Sequence, residues 1–301
     1  MKKSQVFRTR SDLIFYVVLM VLPCLQFAIF YFYVNFDSFA LAFKKWDAIK
    51  LQYTWDGLNN FKNIFSAEEF TKYLQLAGRS ALFGCVSVFV LTPLALVFSF
   101  YIYKQKRLSR FFSTLLYLPN IISGAVVSFI FVIFLDRGVP IIVEALFKTE
   151  IGPIFKGDGV FWSAFFFSFW FSFGTNVLMY TGAMKKVPES TTEAAKIDGV
   201  SSAQEFFMIV IPQIFPTIIT FVVITLSAMF THEMSLFSMA GFNVMPPQEN
   251  MGYYLYTRTY KQDEALNPVL AALGMVLTAV TSVLVFTVRG FLNKINPMGD
   301  N

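Results

Sequence analysis

The chain has 301 residues, 56% of them hydrophobic and only 14% charged, with a formal net charge of +5 and a mean hydropathy of +0.59. A soluble domain of this size carries about 25% charged residues, so the composition excludes an ordinary water-soluble enzyme or binding module. Apolar runs of about 20 residues predict an all-α, polytopic membrane protein. Six spans are expected, near 13–35, 80–103, 111–135, 159–183, 209–231 and 268–289, in a single domain covering 1–301.

The first span follows a basic stretch with Lys2, Lys3, Arg8 and Arg10. Its apolar run is long and lacks a small-x-small cleavage site, so it reads as an uncleaved anchor. Residues 36–79 form the longest polar insert, an expected external loop, with Trp46 and Trp55 read as interfacial anchors. Pro93, Pro119, Pro212 and Pro216 fall inside spans, where proline frees a backbone carbonyl and bends the axis. Cys24 and Cys85 also fall inside spans, and they read as small buried hydrophobes with no metal-ligand spacing. Of the 38 phenylalanines, a dense patch at 161–173 is expected to face lipid and neighbouring helices.

Lysine and arginine set the orientation. The N-terminus, the loop after the second span (Lys104, Lys106, Arg107, Arg110), the loop after the fourth (Lys185, Lys186, Lys196) and the C-terminus (Arg289, Lys294) together hold thirteen basic and six acidic residues. The remaining segments hold eleven and thirteen. The first set is therefore cytoplasmic, with both termini inside. The basic excess reads as topology and not as a nucleic-acid footprint.

One cytoplasmic loop, about 184–208, is unlike the rest. Ser190 and Glu193 have capping-box spacing, so a helix is predicted to begin at Ser190. Gly199 can end it in the left-handed conformation. Ser202 and Glu205 repeat the box and predict a second helix running into the apolar stretch from Ile209.

The same residues carry a family resemblance. Glu193-Ala194-Ala195, three residues, Gly199, nine residues, Ile209, one residue and Ile211-Pro212 resemble the EAA loop of bacterial ABC importer permeases. Ile211 stands where the family usually has leucine. Pro188 and Ile197-Asp198-Gly199 narrow the likeness to carbohydrate-importer permeases of the maltose and glycerol-3-phosphate type. Gly57-Leu58-Asn59-Asn60-Phe61, Tyr117-Leu118-Pro119 and the aromatic stretch from Tyr253 to Tyr260 resemble the same family. Arg79-Ser80 departs from its usual Asn-Ser, and 240–247 lacks its usual Gly-Gly-Pro run.

The resemblance implies a type I ABC importer permease core in the bacterial cytoplasmic membrane. The helix carrying Glu193, Ala194, Ala195 and Asp198, with its turn at Gly199, would dock on an ATPase. It implies a second, homologous permease as heterodimer partner, two ATP-binding subunits that hold ATP and magnesium, and an extracellular solute-binding protein. No cofactor, metal or nucleic acid is expected on this chain.

No catalytic constellation interrupts this picture. The sequence has no G-x-x-x-x-G-K-[ST] phosphate loop, no H-E-x-x-H and no G-x-S-x-G, and His232 is its one histidine. Polar residues at helical spacing mark an expected solute path. Ser168, Ser172 and Thr175, with Trp170 and Asn176 nearby, share one face of the fourth span. Thr225, Met229 and His232 have the same spacing in the fifth, with Thr220, Ser227 and Thr231 as a competing face. Hydroxyls and aromatics suit a carbohydrate, and no basic residue lies near mid-membrane to favour an anion. An ion-coupled secondary transporter is the alternative; it needs intramembrane acids or broken helices.

Overall fold

A computed structural model describes residues 10–296; Lys2, Lys3 and Arg8 lie outside the described residues. The chain divides into two compact units, one built from 1–66 and 262–276, the other from 67–261 and 277–301.

The first unit opens with helix α1, Arg10–Phe27, which continues through a π-helical stretch, Ala28–Tyr33, into α2, Val34–Leu41. Its apolar run, Leu13–Leu41, buries none of its side chains in the protein. Such a surface is stable only in lipid. The expected external loop is not irregular. Strands β1, Lys44–Asp47, and β2, Gln52–Trp55, form an antiparallel hairpin with Trp46 opposite Tyr53. Those rings meet edge-on at 5.0 Å, the cross-strand contact that stabilises a ribbon. Asp47 Oδ1 accepts the backbone N–H groups of Ile49 and Lys50 and closes the turn. Helix α3, Asn59–Ile64, is tied to this hairpin by Asn60, whose buried amide donates to the carbonyls of Ala42 and Lys44. Tyr53 Oη donates to Glu264 at 2.8 Å. The hairpin is a small departure from an all-α chain, made from a segment rich in aromatic residues.

The second unit begins with α4, Ala67–Val86, a π-helical stretch, Ser87–Leu91, and α5, Thr92–Tyr103. These make one helical run of 37 residues, so the helix starts well before the predicted residue 80. The predicted span 111–135 is not one helix. Helix α6, Ser109–Ile121, stops where Ile122 and Ser123 turn extended, shortly after Pro119. Helix α7, Gly124–Ile133, then runs through a π-helical stretch, Phe134–Gly138, into α8, Val139–Phe147. After α9, Gly159–Met184, come the short α10, Glu189–Ile197, and α11, Ser202–Gln204. A further π-helical stretch, Glu205–Val210, leads into α12, Ile211–Ser227. Helices α13, Leu236–Ala240, and α14, Met251–Tyr260, complete the unit before α15, Asn267–Lys294, whose residues fall partly in each unit.

Three of the π-helical stretches end two residues before a proline: Pro93, Pro140 and Pro212. In each, the residue preceding the proline donates its N–H to the fifth carbonyl back: Thr92 to Ser87, Val139 to Phe134 and Ile211 to Phe206. The wide turn moves aside the carbonyl that the proline ring would strike. Of the predicted proline bends, those at Pro93 and Pro212 are realised as π-turns, whereas Pro119 and Pro216 lie inside α6 and α12.

Among the described residues five helical runs are long and apolar enough to cross a membrane: Leu13–Leu41, Ala67–Tyr103, Gly124–Phe147, Ser202–Ser227 and Asn267–Lys294. Helix α9 is 26 residues long but is diluted by Ser, Thr, Gly and Asn. Its side chains seed two apolar clusters. One gathers Phe161, Ala164 and Phe167 with Phe83, Met234, Leu236 and Tyr253. The other gathers Val177, Tyr180 and Met184 with Leu96, Ile102, Phe206 and Val210. The phenylalanine patch therefore splits: Phe161 and Phe167 are core, while Phe166 is exposed. Cys24 and Cys85 are free and lie on exposed helix faces, not in the core.

Candidate functional site

Helix α10 and its flanks follow the predicted helix–glycine–helix order, with a shifted register. α10 begins at Glu189 behind Pro188, one residue earlier than the predicted Ser190, and no side chain caps it. The Ser190–Glu193 box therefore does not form. Proline suits this place because its fixed φ, −59° here, leads directly into a helix. At the other end Gly199 adopts φ +76°. Its N–H donates to the Lys196 carbonyl, and that of Val200 reaches back to Ala195. This is a Schellman closure, which a Cβ would strain.

The second box closes one residue before the predicted pair. Ser201, not Ser202, is the N-cap; its hydroxyl accepts from Gln204 N–H while the Gln204 side chain accepts from Ser201 N–H at 2.9 Å. The shift frees Glu205. Its carboxylate turns inward and receives Lys104 Nζ on both oxygens, at 2.7 and 2.9 Å. The Glu205 side chain is 5% exposed and that of Lys104 16%. Sequence reading had used Lys104 only for topology and Glu205 only as a capping residue, so this pair was missed.

α10 presents two faces. Thr192 and Ala195, three residues apart, are buried. Glu193, Ala194, Asp198 and Gly199 are exposed, and Ile197 is 87% exposed. Beside α10 lies an open polar cleft of about 530 Å³ lined by Tyr103, Lys185, Glu189, Glu193 and Lys196, among others. A small-residue face flanked by charges and backed by a rigid glycine turn is a surface that a protein partner can approach closely.

The predicted solute-path residues are only partly brought together. On α9, Ser168 is buried and its hydroxyl meets no partner among the described residues. Trp170 is partly exposed and meets Phe167 edge-on. Ser172 accepts through its carbonyl from the Asn176 amide at 2.9 Å. Thr175 donates to Asn120 Oδ1 of α6 at 2.8 Å, a partner the sequence did not single out. α6 and α9 come this close because Gly174 has no Cβ; one placed there would sit 2.3 Å from the Leu116 carbonyl.

On α12 the predicted face does not form. The helix ends at Ser227, so Met229 and His232 leave its periodicity. Thr225 is half-buried, and Met229 is buried with its side chain filling the space a Cβ on Gly84 would need. His232 stacks on Phe83 at 5.1 Å, accepts Met234 N–H on Nδ1, and has its imidazole pushed below the ordinary value by burial. It is a neutral structural acceptor here. The competing Thr220, Ser227 and Thr231 hydroxyls donate to the backbone carbonyls of Pro216, Val223 and Ala228.

A second polar network holds the loop before α14. Arg79 donates to the carbonyls of Pro246 and Glu249, Ser80 Oγ accepts from Met251 N–H, and Arg258 pairs with Glu249 at 3.3 Å. The unusual Arg79-Ser80 dipeptide thus has a structural task.

Long apolar helices interrupted by π-turns, with a short helix closed by a left-handed glycine, define a polytopic membrane protein with an ordered helix between its spans. The family described as the binding-protein-dependent transport system inner membrane component matches residues 92–296, and the chain belongs to it. Over its length the chain is similar to several curated proteins. It is 24% identical to the probable ABC transporter permease protein YurN of Bacillus subtilis, covering 89% of this chain and 91% of that protein. It is 21% identical to the multiple sugar-binding transport system permease protein MsmF of Streptococcus mutans, covering 88% and 91%. With the sn-glycerol-3-phosphate transport system permease protein UgpA of Yersinia pestis it shares 29% over 69% of this chain and 70% of that one. The fold matches that of a bacterial ABC transporter involved in the import of the acidic polysaccharide alginate, with a TM-score of 0.76 at 19% identity, covering 95% and 97%. These likenesses make the chain a membrane permease subunit of a binding-protein-dependent transporter. None of them points to an ion-coupled carrier.

Proposed function

We propose that the chain forms one half of the membrane path of an ATP-driven importer for a carbohydrate, received from an extracellular solute-binding protein. Its partner in the path is a second, homologous permease. Two ATPase subunits, carrying ATP and magnesium, bind at α10. Helix α9 serves as the sixth span: 26 residues rise about 39 Å, enough for a hydrocarbon core of about 30 Å. Both termini and α10 then face the cytoplasm.

The observation that carries this reading is the closed α10–Gly199–Ser201 turn, with Glu193, Ala194 and Asp198 exposed. Ala195 is turned inward and sets the helix on its own chain, leaving Ala194 as the small residue for close approach. For the solute, the reading rests on the sugar named for MsmF and on polar groups of α9. Ser172, Thr175 and Asn176, with Trp170, are the residues assigned to the path; Ser168 is buried and Thr225 half-buried. Met229, buried against Gly84, and His232, stacked on Phe83, are not assigned to the path.

The test is a cross-link between Ala194→Cys and a groove cysteine on the ATPase, made in a background with Cys24 and Cys85 replaced by serine. Specific, nucleotide-sensitive cross-linking is expected. Its absence in assembled transporter, or ATP-dependent uptake left intact by Glu193→Ala with Gly199→Pro, would remove α10 from the ATPase interface.

A further inference from the structure

Besides its direct chain link to α9 through residues 185–188, α10 has two routes into the body of the second unit. One follows the chain through Gly199 and the π-helical stretch Glu205–Val210 into α12. Both points on it are places where a backbone bends: a left-handed glycine and a wide turn without regular i→i−4 bonding. The other route goes sideways. Glu205 is the first residue of the π-helical stretch, and its N–H is fixed to the Ser201 carbonyl at 2.8 Å. Lys104 is the C-cap of α5, its N–H fixed to Phe100 at 2.9 Å. The loop behind it is fastened too, since the Tyr101 hydroxyl donates to the Arg107 carbonyl.

The two charged groups are 101 positions apart in sequence and meet buried, with both carboxylate oxygens engaged. Around them Phe100 meets Phe206 at 5.0 Å, and Ser99 donates to the Val177 carbonyl of α9 at 3.0 Å. The Glu205–Val210 stretch and the α5–α9 body therefore meet at the ion pair, at these rings and in the apolar cluster that Phe206 and Val210 share with Leu96, Ile102 and Val177.

We propose that Lys104–Glu205 is a strut: it makes the segment after Gly199 move with the α5–α9 body, so that the start of α12 follows α9 when α10 is displaced. The two are positioning residues, acting through helices and not on solute or nucleotide. The proposal rests on α10 being the ATPase-facing helix. A charge pair suits the task because, out of water, its attraction is directional and strong, and removing one partner is costly. A pair of apolar residues can fill the same space without that directional hold.

The experiment uses the assembled transporter in proteoliposomes and measures solute carried per ATP hydrolysed. In Lys104→Met/Glu205→Leu, the Ala194→Cys cross-link to the ATPase and the ATPase rate should stay near those of the parent. Solute per ATP should fall about tenfold, within the usual range of coupling between sites. A purely structural role would lower assembly, ATPase and transport together. Lys104→Cys/Glu205→Cys supplies an internal control: bridging the two thiols with a short bismaleimide should restore the ratio. An unchanged ratio in the assembled apolar variant, or no response to bridging, overturns the strut while leaving α10 as the docking helix. Loss of the cross-link in the parent overturns both.

Discussion

Glu205 and Glu249 are both buried acids paired with a basic residue, and both side chains are 5% exposed, yet the pairs are built differently. Lys104 reaches both oxygens of Glu205 from a helix 101 positions away and is itself largely buried. Arg258 reaches one oxygen of Glu249 at 3.3 Å from nine residues along the chain, and remains 28% exposed. At Glu249 contacts to the backbone do much of the holding. Arg79 takes its carbonyl, and fully buried Asn250 caps α14 while donating to the His232 carbonyl. Burial outweighs Arg258 and raises the Glu249 carboxyl above its usual range. One pair ties helix to helix across the unit; the other fastens a loop to the helix that follows it.

The largest effect expected from this contrast is in the single truncations. Lys104→Met strands a buried carboxylate and should cost about 3–5 kcal/mol, read as thermal unfolding in detergent. Arg258→Met should cost about 1.5 kcal/mol, since Glu249 can take up a proton instead. Equal losses would erase the distinction.

Next comes the turn between the helices. Gly199→Ala should cost about 1–2 kcal/mol through φ alone, because nothing lies within 4 Å of the added Cβ. Gly182→Ala, equally open but inside α9 with ordinary φ, should cost nothing. A similar loss at both would mean the turn is not under conformational constraint.

A smaller effect separates the two serines. Ser201→Ala should cost about 1 kcal/mol as a lost N-cap, whereas Ser202→Ala should stay within about 0.5 kcal/mol. The reverse order would restore the Ser202–Glu205 box and free Lys104 of its partner.

The smallest concerns pH. The folded carboxyl of Glu249 binds its proton more tightly than the unfolded one. Its ionisation therefore opposes folding above the raised value, and that penalty is relieved as pH falls through it towards the ordinary carboxylate value. Thermal stability of the wild type should thus gain a small increment on acidification from neutrality that Glu249→Gln lacks. Identical pH profiles would mean that Arg258 compensates burial in full.

Much of the architecture was legible from local pattern. Apolar length predicted most of the membrane helices, though not the break within 111–135, and Ser190–Glu193, Gly199 and Ser202–Glu205 predicted a helix–glycine–helix order that the structure contains with other caps. Registers were less legible, because alternative caps one residue apart have similar local merit. Ser201 prevails over Ser202 where burial of Glu205 against Lys104 decides between them. The solute-path face on α12 failed for a related reason. Periodicity assumes that a helix continues, and this one ends at Ser227, beyond which His232 stacks on Phe83.

The sequence by itself determined a membrane chain of apolar helices, a left-handed turn at Gly199 and proline positions that bend helices. Each of these follows from the solvation of a local segment or from the backbone freedom of one residue. Only the tertiary structure decided that Lys104 meets Glu205, that Thr175 reaches Asn120, that Arg79 holds Glu249 and that Pro93 and Pro212 are absorbed as π-turns. These pairings join residues 55 to 170 positions apart, or depend on helices packed from elsewhere in the chain. No local spacing encodes which buried charge will find which partner; that choice is made when apolar faces pack and leave polar groups a single way to be satisfied.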